Sequence, residues 1–346
     1  MSPLILNTIA TICFVAGKSG GHLLPCITKA QQIKKEYTQT EIYLFSTGTE
    51  LENKILEKHS YINNYAPTNL WDVPYQSPWL FPFFIGNATW YFFKSLYKLW
   101  NIKANKVVSF GGFNSIPVCL AAKILQIPFE LYELNVEPGK AAKFLSRFTS
   151  TIYTCFEQTK QYFPNNTCIH FDYPVRFTQQ DKQYDKEQLL AKYNFSSTKK
   201  TILILGGSQG STLLNEIFKE WLLQNPTRQQ SIQIVHQTGG SESEAYQRIY
   251  NELGIPAIVF GYHEQLQNFY NLADIIISRA GAGTLFEIKF FDKKCICIPH
   301  QTANTNHQIK NVVALQEENP HQFSIIQQSD FTPSTLLTQL QKFEII

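Results

Sequence analysis

Short apolar runs alternate with glycine turns and amphipathic stretches along most of the chain. One such unit is the run Ile275–Ile277, which leads through Gly281 and Gly283 into a helical pattern opening at Thr284. Other apolar runs end in glycines in the same way, at residues 17–21, 111–112 and 206–210. Strands that alternate with helices are typical of parallel sheets with helices on their faces. The pattern therefore predicts an α/β protein.

The alternation stops once, near the middle of the chain, and then restarts. The polar stretch 164–176 is interpreted as a linker between two domains. At 346 residues and 44% apolar content the chain is long enough for two α/β cores. We therefore predict domains at residues 1–170 and 171–346, with the glycine turns of both sheets lining a cleft between them.

The glycine turns are candidate phosphate sites. A strand that ends in glycines and feeds a helix aims backbone N–H groups and the positive end of a helix dipole at one point. Glu287 is predicted to lie on the first turn of the helix after Gly283, where it either caps that helix or accepts hydrogen bonds from a ribose. The turn at residues 17–22 fits neither a P-loop nor the dinucleotide fingerprint, but a phosphate-facing loop remains a live hypothesis.

Residues 71–100 are crowded with aromatic side chains. Three prolines are expected to keep the first part irregular, and a helix is predicted from Asn87 onward. Helical spacing places several rings on one face, with lysines nearby. These rings either pack on the sheet as core or form a membrane-facing patch. The second interpretation involves Trp79, Trp90, Phe93, Lys94, Tyr97, Lys98 and Trp100.

Composition excludes several classes of function. A net charge of +3 without an arginine-rich run or zinc-finger spacing gives no support for a nucleic-acid partner. The seven cysteines contain no CxxC pair, which indicates reduced core thiols of a cytoplasmic protein. The apolar run from Leu4 to Val15 has no Lys or Arg before it and predicts a first strand instead of a signal peptide. No stretch is suited to spanning a bilayer.

Seven short motifs, in order, resemble those of the MurG family of glycosyltransferases. They lie at residues 17–22, 111–117, 133–135, 174–176, 206–210, 278–287 and 306–311. The resemblance implies a GT-B fold, with two Rossmann-like domains. It also implies an inverting enzyme that moves N-acetylglucosamine from UDP-N-acetylglucosamine to an undecaprenyl-diphosphate-linked muramoyl-pentapeptide, converting lipid I to lipid II in peptidoglycan synthesis. Such an enzyme would be peripheral on the cytoplasmic face of the plasma membrane.

The resemblance also implies roles for individual residues. His22 is the first candidate for the catalytic base and Glu133 the second, although the His22 imidazole is equally well interpreted as a phosphate ligand or loop cap. The implied donor-binding residues are Ser19, Asn135, Arg176, Ser208, Gly261, Tyr262, Gly281, Gly283, Thr284, Glu287, His307 and Gln308. The implied acceptor-binding residues are Gly17, Gly20, Gly21, Gly111, Gly112, Phe113 and Ser115. Arg176 or Arg279 would take the leaving charge. The DxD signature of metal-dependent transferases is absent, so no metal and no cofactor is expected.

Four positions depart from the family pattern. Lys18 replaces a small residue, Phe113 lacks a tyrosine hydroxyl, Tyr132 replaces a histidine, and Gly283 replaces a leucine. They affect the acceptor side most. Three alternatives therefore stay open: a transferase with another acceptor, a UDP-N-acetylglucosamine 2-epimerase, and a sugar-nucleotide-binding protein without turnover.

Overall fold

The chain forms two compact units, Met1–Arg176 and Phe177–Ile346. The predicted boundary stood after residue 170. The computed structural model describes residues 10–17, 20–62, 64–67, 70–71, 73–74, 77–207, 210–240, 242–263, 265–301 and 306–346.

The first unit contains a seven-stranded parallel sheet in the order β3-β2-β1-β4-β5-β6-β7. Its strands are β1 Thr11–Val15, β2 Glu41–Ser46, β3 Asn64–Pro67, β4 Lys106–Ser109, β5 Phe129–Glu133, β6 Thr151–Thr154 and β7 Thr167–His170. In the register of the central strands, Val15 of β1 pairs with Phe45 on one side and Ser109 on the other. The interpretation of residues 164–176 as a linker is wrong in part, because β7 lies within them. As a largely exposed edge strand, β7 lacks the apolar run that marks the buried strands.

The helices of the first unit are α1 Gly20–Glu36, α2 Glu50–Leu56, α3 Phe81–Asn101, α4 Ser115–Ile124 and α5 Lys140–Leu145, with 3₁₀ turns at Pro78–Leu80, Ser146–Phe148 and Glu157–Tyr162. Helix α3 begins well before the predicted Asn87. Pro82 lies in its first turn, where a missing N–H costs no hydrogen bond. One apolar cluster of this unit lies between the sheet and helices α3, α4 and α5, and α1 buries further apolar residues, including Leu23, Cys26 and Ile27.

Helix α3 presents most of its aromatic rings to solvent. Only Ser95 and Leu99 of this helix are fully buried, and Phe92 and Leu96 pack partly against the core. The exposed fractions are 71% for Trp79, just before the helix, 67% for Trp90, 60% for Phe93, 64% for Tyr97 and 65% for Trp100. The interpretation of these five rings as core is therefore wrong. Within the described part of the chain, no helix combines the length and hydropathy needed to cross a membrane.

The second unit repeats the strand order of the first. Its six parallel strands run β10-β9-β8-β11-β12-β13, with bounds β8 Lys200–Leu205, β9 Ile232–Gln237, β10 Ala257–Phe260, β11 Ile275–Ser278, β12 Cys295–Cys297 and β13 Phe323–Ile325. The helices are α6 Lys186–Lys192, α7 Thr212–Gln224, α8 Ser243–Glu252, α9 Gln267–Leu272, α10 Ala282–Phe290, α11 His307–Glu318 and α12 Pro333–Lys342, with 3₁₀ turns at Gln179–Lys182, Pro226–Ser231 and Gln328–Asp330. Trp221 and Phe218 are among its fully buried core residues.

Each sheet has one place where the strand order reverses. In the first unit it lies between β1 and β4, and in the second between β8 and β11. In doubly wound sheets ligands bind outside the carboxyl ends of the strands at this switch point. The turns that follow these four strands are the glycine turns found in the sequence. The fold therefore brings the glycine turns of each unit to one edge of its own sheet.

Candidate functional site

Two glycine turns touch at the switch point of the first unit. A Cβ atom on Gly112 would lie 2.5 Å from the Gly17 Cα, and one on Gly17 would lie 3.1 Å from the Gly112 Cα. Gly111 and Gly112 also adopt φ angles of +84° and +85°, which side chains disfavour. Glycine is thus required here by both contact and conformation, and it lets two backbone segments meet directly.

The imidazole of His22 lies against both turns. The side chain projects from the start of α1, and a Cβ on Gly17 would lie 3.3 Å from its Nδ1, while one on Gly111 would lie 3.7 Å from its Nε2. Gly20 and Gly21 are the first residues of the same helix. The structure therefore brings together the first candidate base and five predicted acceptor glycines. Lys18 and Ser19 lie outside the described residues.

Ser115 shapes the second turn from inside the protein. Its buried Oγ donates to the Gly111 carbonyl at 2.7 Å, and the Gly111 N–H donates to Ser109 Oγ at 3.2 Å. Phe113 is half-buried in the turn between Gly112 and Ser115. The Ser115 hydroxyl thus acts on the backbone of the turn, whose exposed part is formed by the glycines and Phe113.

Glu133 holds the loop after β5. Its Oε1 accepts from the backbone N–H of Asn135 at 3.0 Å and from Asn135 Nδ2 at 3.2 Å, and its Oε2 accepts from the Gly139 N–H at 3.2 Å. Burial raises the pKa of the Glu133 carboxyl, and these hydrogen bonds oppose that rise. With its oxygens engaged in the loop, Glu133 is better suited to orienting Asn135 than to taking a substrate proton. His22 stays the first candidate for the base and Glu133 the second.

Tyr132, which departs from the family pattern, lies in an aromatic stack. Its ring is 5.0 Å from Phe110 and 4.6 Å from Tyr153, both nearly parallel, and its hydroxyl donates to Glu130 Oε2 at 3.2 Å. Consecutive residues of a strand point to opposite faces, so this stack and the Glu133 side chain lie on different sides of the sheet.

Helix α10 begins at the switch point of the second unit. Its first intrahelical bond runs from the Leu285 N–H to the Gly281 carbonyl at 3.0 Å, so the amides of residues 282–284 have no partner within the helix. A Cβ added to Gly281 would have no neighbouring atom within 4 Å. The phosphate site predicted from Gly281, Gly283 and Thr284 falls on this helix start.

Glu287 lies on the second turn of α10, so its predicted place on the first turn is wrong. The helix starts at Ala282, ahead of the predicted Thr284, and its N-cap Gly281 has no side-chain cap. A capping role for Glu287 is therefore also wrong. Its Oε2 instead accepts a hydrogen bond from the Tyr270 hydroxyl at 2.8 Å.

Arg279 and Gln308 brace the turn that leads into α10. Arg279 donates to Ser211 Oγ at 3.0 Å, to the Ile298 carbonyl at 3.1 Å and to Gln328 Oε1 at 3.0 Å. The Gln308 Oε1 accepts from the N–H groups of Ala280 at 3.2 Å and His300 at 2.8 Å. Arg279 is thus engaged in contacts that hold these loops, and Arg176 and Arg279 both stay candidates for the leaving charge. His307 is the first residue of α11.

Three further turns of the second unit pack backbone against backbone. A Cβ on Gly210 would lie 2.0 Å from the Thr238 carbonyl oxygen, and one on Gly261 would lie 2.9 Å from the Gly240 carbonyl oxygen. Tyr262, which follows Gly261, is exposed. Ser208 lies outside the described residues. The turn at residues 238–240 thus supports the turns after β8 and β10.

The side chains beneath this turn include residues that the sequence analysis missed. His236 and Asn215 are fully buried and hydrogen-bonded to each other. The available signal was a histidine inside the apolar run of β9, because a buried polar side chain requires partners. Nothing in the sequence indicated which partners those were. Among the described residues there is no group of three His, Cys, Asp or Glu side chains that could hold a metal ion.

Both halves of the chain match known glycosyltransferase domains. The glycosyltransferase family 28 N-terminal domain matches residues 12–154, and the glycosyltransferase family 28 C-terminal domain matches residues 201–344.

Curated relatives match over most of their length. One from Protochlamydia amoebophila (strain UWE25) is 32% identical, over 86% of this chain and 77% of the relative. One from Bdellovibrio bacteriovorus is 28% identical, over 95% of this chain and 89% of the relative. Both are named UDP-N-acetylglucosamine–N-acetylmuramyl-(pentapeptide) pyrophosphoryl-undecaprenol N-acetylglucosamine transferase.

Solved glycosyltransferase and epimerase structures are similar to this chain over most of its length. The crystal structure of Acinetobacter baumannii MurG matches with a TM-score of 0.72 and 25% identity, covering 98% of this chain and 92% of that chain. The UDP-GlcNAc 2-epimerase of Neisseria meningitidis matches with a TM-score of 0.63, covering 97% of this chain and 93% of that chain. At 14% identity, the second match shows a shared fold alone.

The contact between the two glycine turns of the first unit can be tested with Gly112→Ala. The added Cβ must displace Gly17 and must adopt a left-handed backbone, so we expect the unfolding free energy to fall by about 1–3 kcal/mol. Gly20→Ala is the matched control, since nothing lies within 4 Å of its Cβ position. Thermal unfolding measures both variants. Equal transition temperatures for the two would contradict the described contact.

Proposed function

The chain belongs to the MurG family of glycosyltransferases, with the GT-B fold, and we propose that it transfers N-acetylglucosamine from UDP-N-acetylglucosamine to a lipid-diphosphate-linked muramoyl-pentapeptide. The observation that carries this proposal is the match to curated transferases of that name across both domains. The site geometry supports it, because the glycine turns of both units follow the strands that border the switch point of each sheet. The 2-epimerase alternative has the support of fold similarity only.

The second unit is proposed to bind the donor. The free amides at the start of α10 suit the diphosphate, and the Glu287 carboxylate, oriented by Tyr270, suits the ribose hydroxyls. Gly261 and Tyr262 are proposed to lie against the uracil. His307 and Gln308 are proposed to contact the sugar, and the backbone contacts of Gln308 Oε1 hold it at the mouth of the same turn.

The first unit is proposed to hold the acceptor and the catalytic base. In the reaction a hydroxyl oxygen of the muramoyl sugar attacks the anomeric carbon of the donor, and the bond from that carbon to the diphosphate oxygen breaks with inversion. The hydroxyl proton passes to His22, and UDP leaves with the bond's electron pair. The glycine turns offer backbone N–H groups to the acceptor diphosphate. No cofactor takes part, since UDP-N-acetylglucosamine is itself the donor substrate.

The exposed face of α3 is proposed to dock on the membrane that holds the acceptor. Trp79, Trp90, Phe93, Tyr97 and Trp100 supply apolar surface next to Lys94, a combination typical of interfacial helices. Lys98 contributes less, because its Nζ lies over the Tyr43 ring, 5.3 Å from the centroid. We propose the cytoplasmic face, which the seven free cysteines support, since disulfides are rare in reducing compartments.

Turnover and the role of His22 are tested together. The protein is expected to transfer labelled N-acetylglucosamine to a polyprenyl-diphosphate-linked muramoyl-pentapeptide, and His22→Ala should lower kcat by about 10²-fold or more, the usual effect of a lost general base. UDP affinity should change little. His22→Gln separates the alternatives, because it keeps a hydrogen-bond donor for phosphate but cannot take a proton.

His170→Ala is the control, since His170 is an exposed histidine of the same unit. Full activity of His22→Gln would make His22 a phosphate ligand or loop cap instead of the base. Release of N-acetylmannosamine without transfer would favour the epimerase, and UDP-sugar binding without either product would favour the binding protein.

The donor site is tested with Glu287→Ala. A charged hydrogen-bond partner of a ribose contributes about 1.5–3 kcal/mol, so UDP should bind about tenfold more weakly or worse. Tyr270→Phe keeps the carboxylate but removes its orienting bond, and should have a smaller effect. Glu318→Ala, which removes a surface carboxylate paired with Lys289, is the control. Unchanged UDP affinity of folded Glu287→Ala by calorimetry would remove Glu287 from the site.

Membrane docking is tested by vesicle co-sedimentation. Each buried aromatic ring contributes about 1.5–3 kcal/mol and each lysine near anionic head groups about 1 kcal/mol, so binding should be reversible and weakened by salt. The protein should pellet with anionic vesicles more than with neutral ones, and the triple replacement of Trp90, Phe93 and Tyr97 by Ser should release it. Leu223→Ser, at an exposed apolar position of the second unit, is the control. Wild-type protein that stays in the supernatant at low salt would exclude α3 as a lipid-binding surface.

A further inference from the structure

A chain of hydrogen bonds runs through the core of the second unit and ends on a turn. The Tyr250 hydroxyl lies 2.7 Å from His236 Nδ1, and His236 Nε2 lies 3.0 Å from Asn215 Oδ1. Asn215 Nδ2 then reaches the Thr238 carbonyl at 3.1 Å and Glu242 Oε2 at 2.9 Å. Tyr250, His236 and Asn215 are each 0% exposed. Three fully buried polar side chains are thus connected to Thr238, the first residue of the turn at residues 238–240, and to Glu242, the N-cap of α8.

The direction of each hydrogen bond in this network follows from its last member. The Thr238 carbonyl only accepts, so the Asn215 atom facing it is the amide nitrogen, and Asn215 Oδ1 is left to accept from His236 Nε2–H. His236 Nδ1 must then accept from the Tyr250 hydroxyl. This arrangement requires a neutral imidazole, and burial lowers the His236 pKa to about 3, which keeps the ring neutral near pH 7. The network therefore has one consistent orientation, in which each of its hydrogen bonds has one donor and one acceptor.

The turn at residues 238–240 packs tightly against the two neighbouring turns. A Cβ on Gly210 would meet the Thr238 carbonyl oxygen at 2.0 Å, and one on Gly261 would meet the Gly240 carbonyl oxygen at 2.9 Å. The Thr238 N–H also donates to the Phe260 carbonyl at 3.0 Å. A shift of the Thr238 carbonyl would therefore displace the turns that carry Gly210 and Gly261. These turns flank the proposed uracil contact at Tyr262.

We infer that His236, acting through Asn215, is a positioning residue for the uridine part of the donor. It holds the turn at residues 238–240, on which the turns after β8 and β10 rest. The inference rests on the proposed function, because a uridine nucleotide is its ligand. The imidazole itself touches no substrate, so its effect belongs to binding: the KM for the donor and the affinity for UDP should change while kcat stays nearly constant.

The same strand provides a matched control for a merely stabilising role. Gln233 of β9 is also 0% exposed, and its side chain makes three hydrogen bonds, against two for His236. It accepts from the Ser196 N–H at 2.8 Å and donates to the Ser196 carbonyl at 3.0 Å and to Thr201 Oγ1 at 2.9 Å. These partners lie at the amino end of β8, away from the glycine turns. Replacing Gln233 should therefore lower the stability of the second unit and leave the proposed nucleotide site unchanged.

The test compares His236→Ala with Gln233→Ala. Both should lower the unfolding temperature, but only His236→Ala should raise the Kd for UDP and the KM for UDP-N-acetylglucosamine, each by about tenfold, with kcat within about twofold of wild type. Hydrogen exchange at residues 238–240 should accelerate in the same variant alone. Equal UDP affinity of the two folded variants, or unchanged exchange in the turn, would overturn the inference.

Tyr250→Phe serves where His236→Ala does not fold. It keeps the ring volume and removes only the hydroxyl that fixes His236 Nδ1, so the Kd for UDP should rise about threefold. The two proposals fail in distinguishable ways. Wild-type protein that binds no UDP would make the proposed function wrong, and the inference with it. Wild-type protein that binds UDP, with both network variants binding equally well, would overturn the inference alone.

Discussion

Direct contact between glycine backbones at the carboxyl edge of each sheet is the constraint on which the site depends. In the first unit Gly17 and Gly112 approach so closely that no side chain fits between them, and in the second Gly210 is seated on the Thr238 carbonyl in the same way. The Gly111 N–H donates to Ser109 Oγ and the Gly210 N–H to the Gly207 carbonyl, so these two amides are used within the turns themselves. Anion binding by such turns needs further backbone N–H groups held in a fixed geometry. Close backbone packing supplies that fixed geometry for the diphosphate sites proposed above.

Buried and half-buried polar side chains add to the rigidity of the turns. Ser115 and Glu133 do this in the first unit, and Arg279, Gln308 and the His236 network do it in the second. Each of them bonds to backbone groups that would otherwise be unsatisfied in the interior. A residue in a motif can thus hold the backbone of a turn in place through its own hydrogen bonds. Glu133 illustrates the point, since its oxygens are engaged in the loop that presents Asn135.

The parts of the structure that follow from local sequence were predictable, and those that depend on distant partners were not. Apolar runs followed by glycines gave the α/β class and the turns, and spacing gave the face of α3, because both signals lie within a few residues. Strand β7 was missed because an exposed edge strand has no apolar run. The predicted start of α10 was wrong because a glycine near the start of a helix gives no helical signal in the sequence. Glu287 was therefore assigned to the first turn of the helix, although it lies on the second. The partners of His236 lie 14 and 21 residues away, and no local pattern indicates them.

The two units share a strand order but differ in whether their helices bury or expose large side chains. This difference bears on the roles proposed for them. The helices around the second sheet bury their large side chains, such as Trp221 and Phe218 of α7. Helix α3 of the first unit does the reverse: it packs inward through Ser95 and Leu99 and turns its largest rings outward. Apolar patches of this extent are rare on proteins that contact only water. A unit that must meet a substrate anchored in lipid needs such a face, whereas a unit that binds a water-soluble nucleotide does not. The distribution of aromatic side chains therefore supports the proposal that the first unit meets the lipid-linked acceptor. The surfaces that carry these side chains share no residue with the glycine turns.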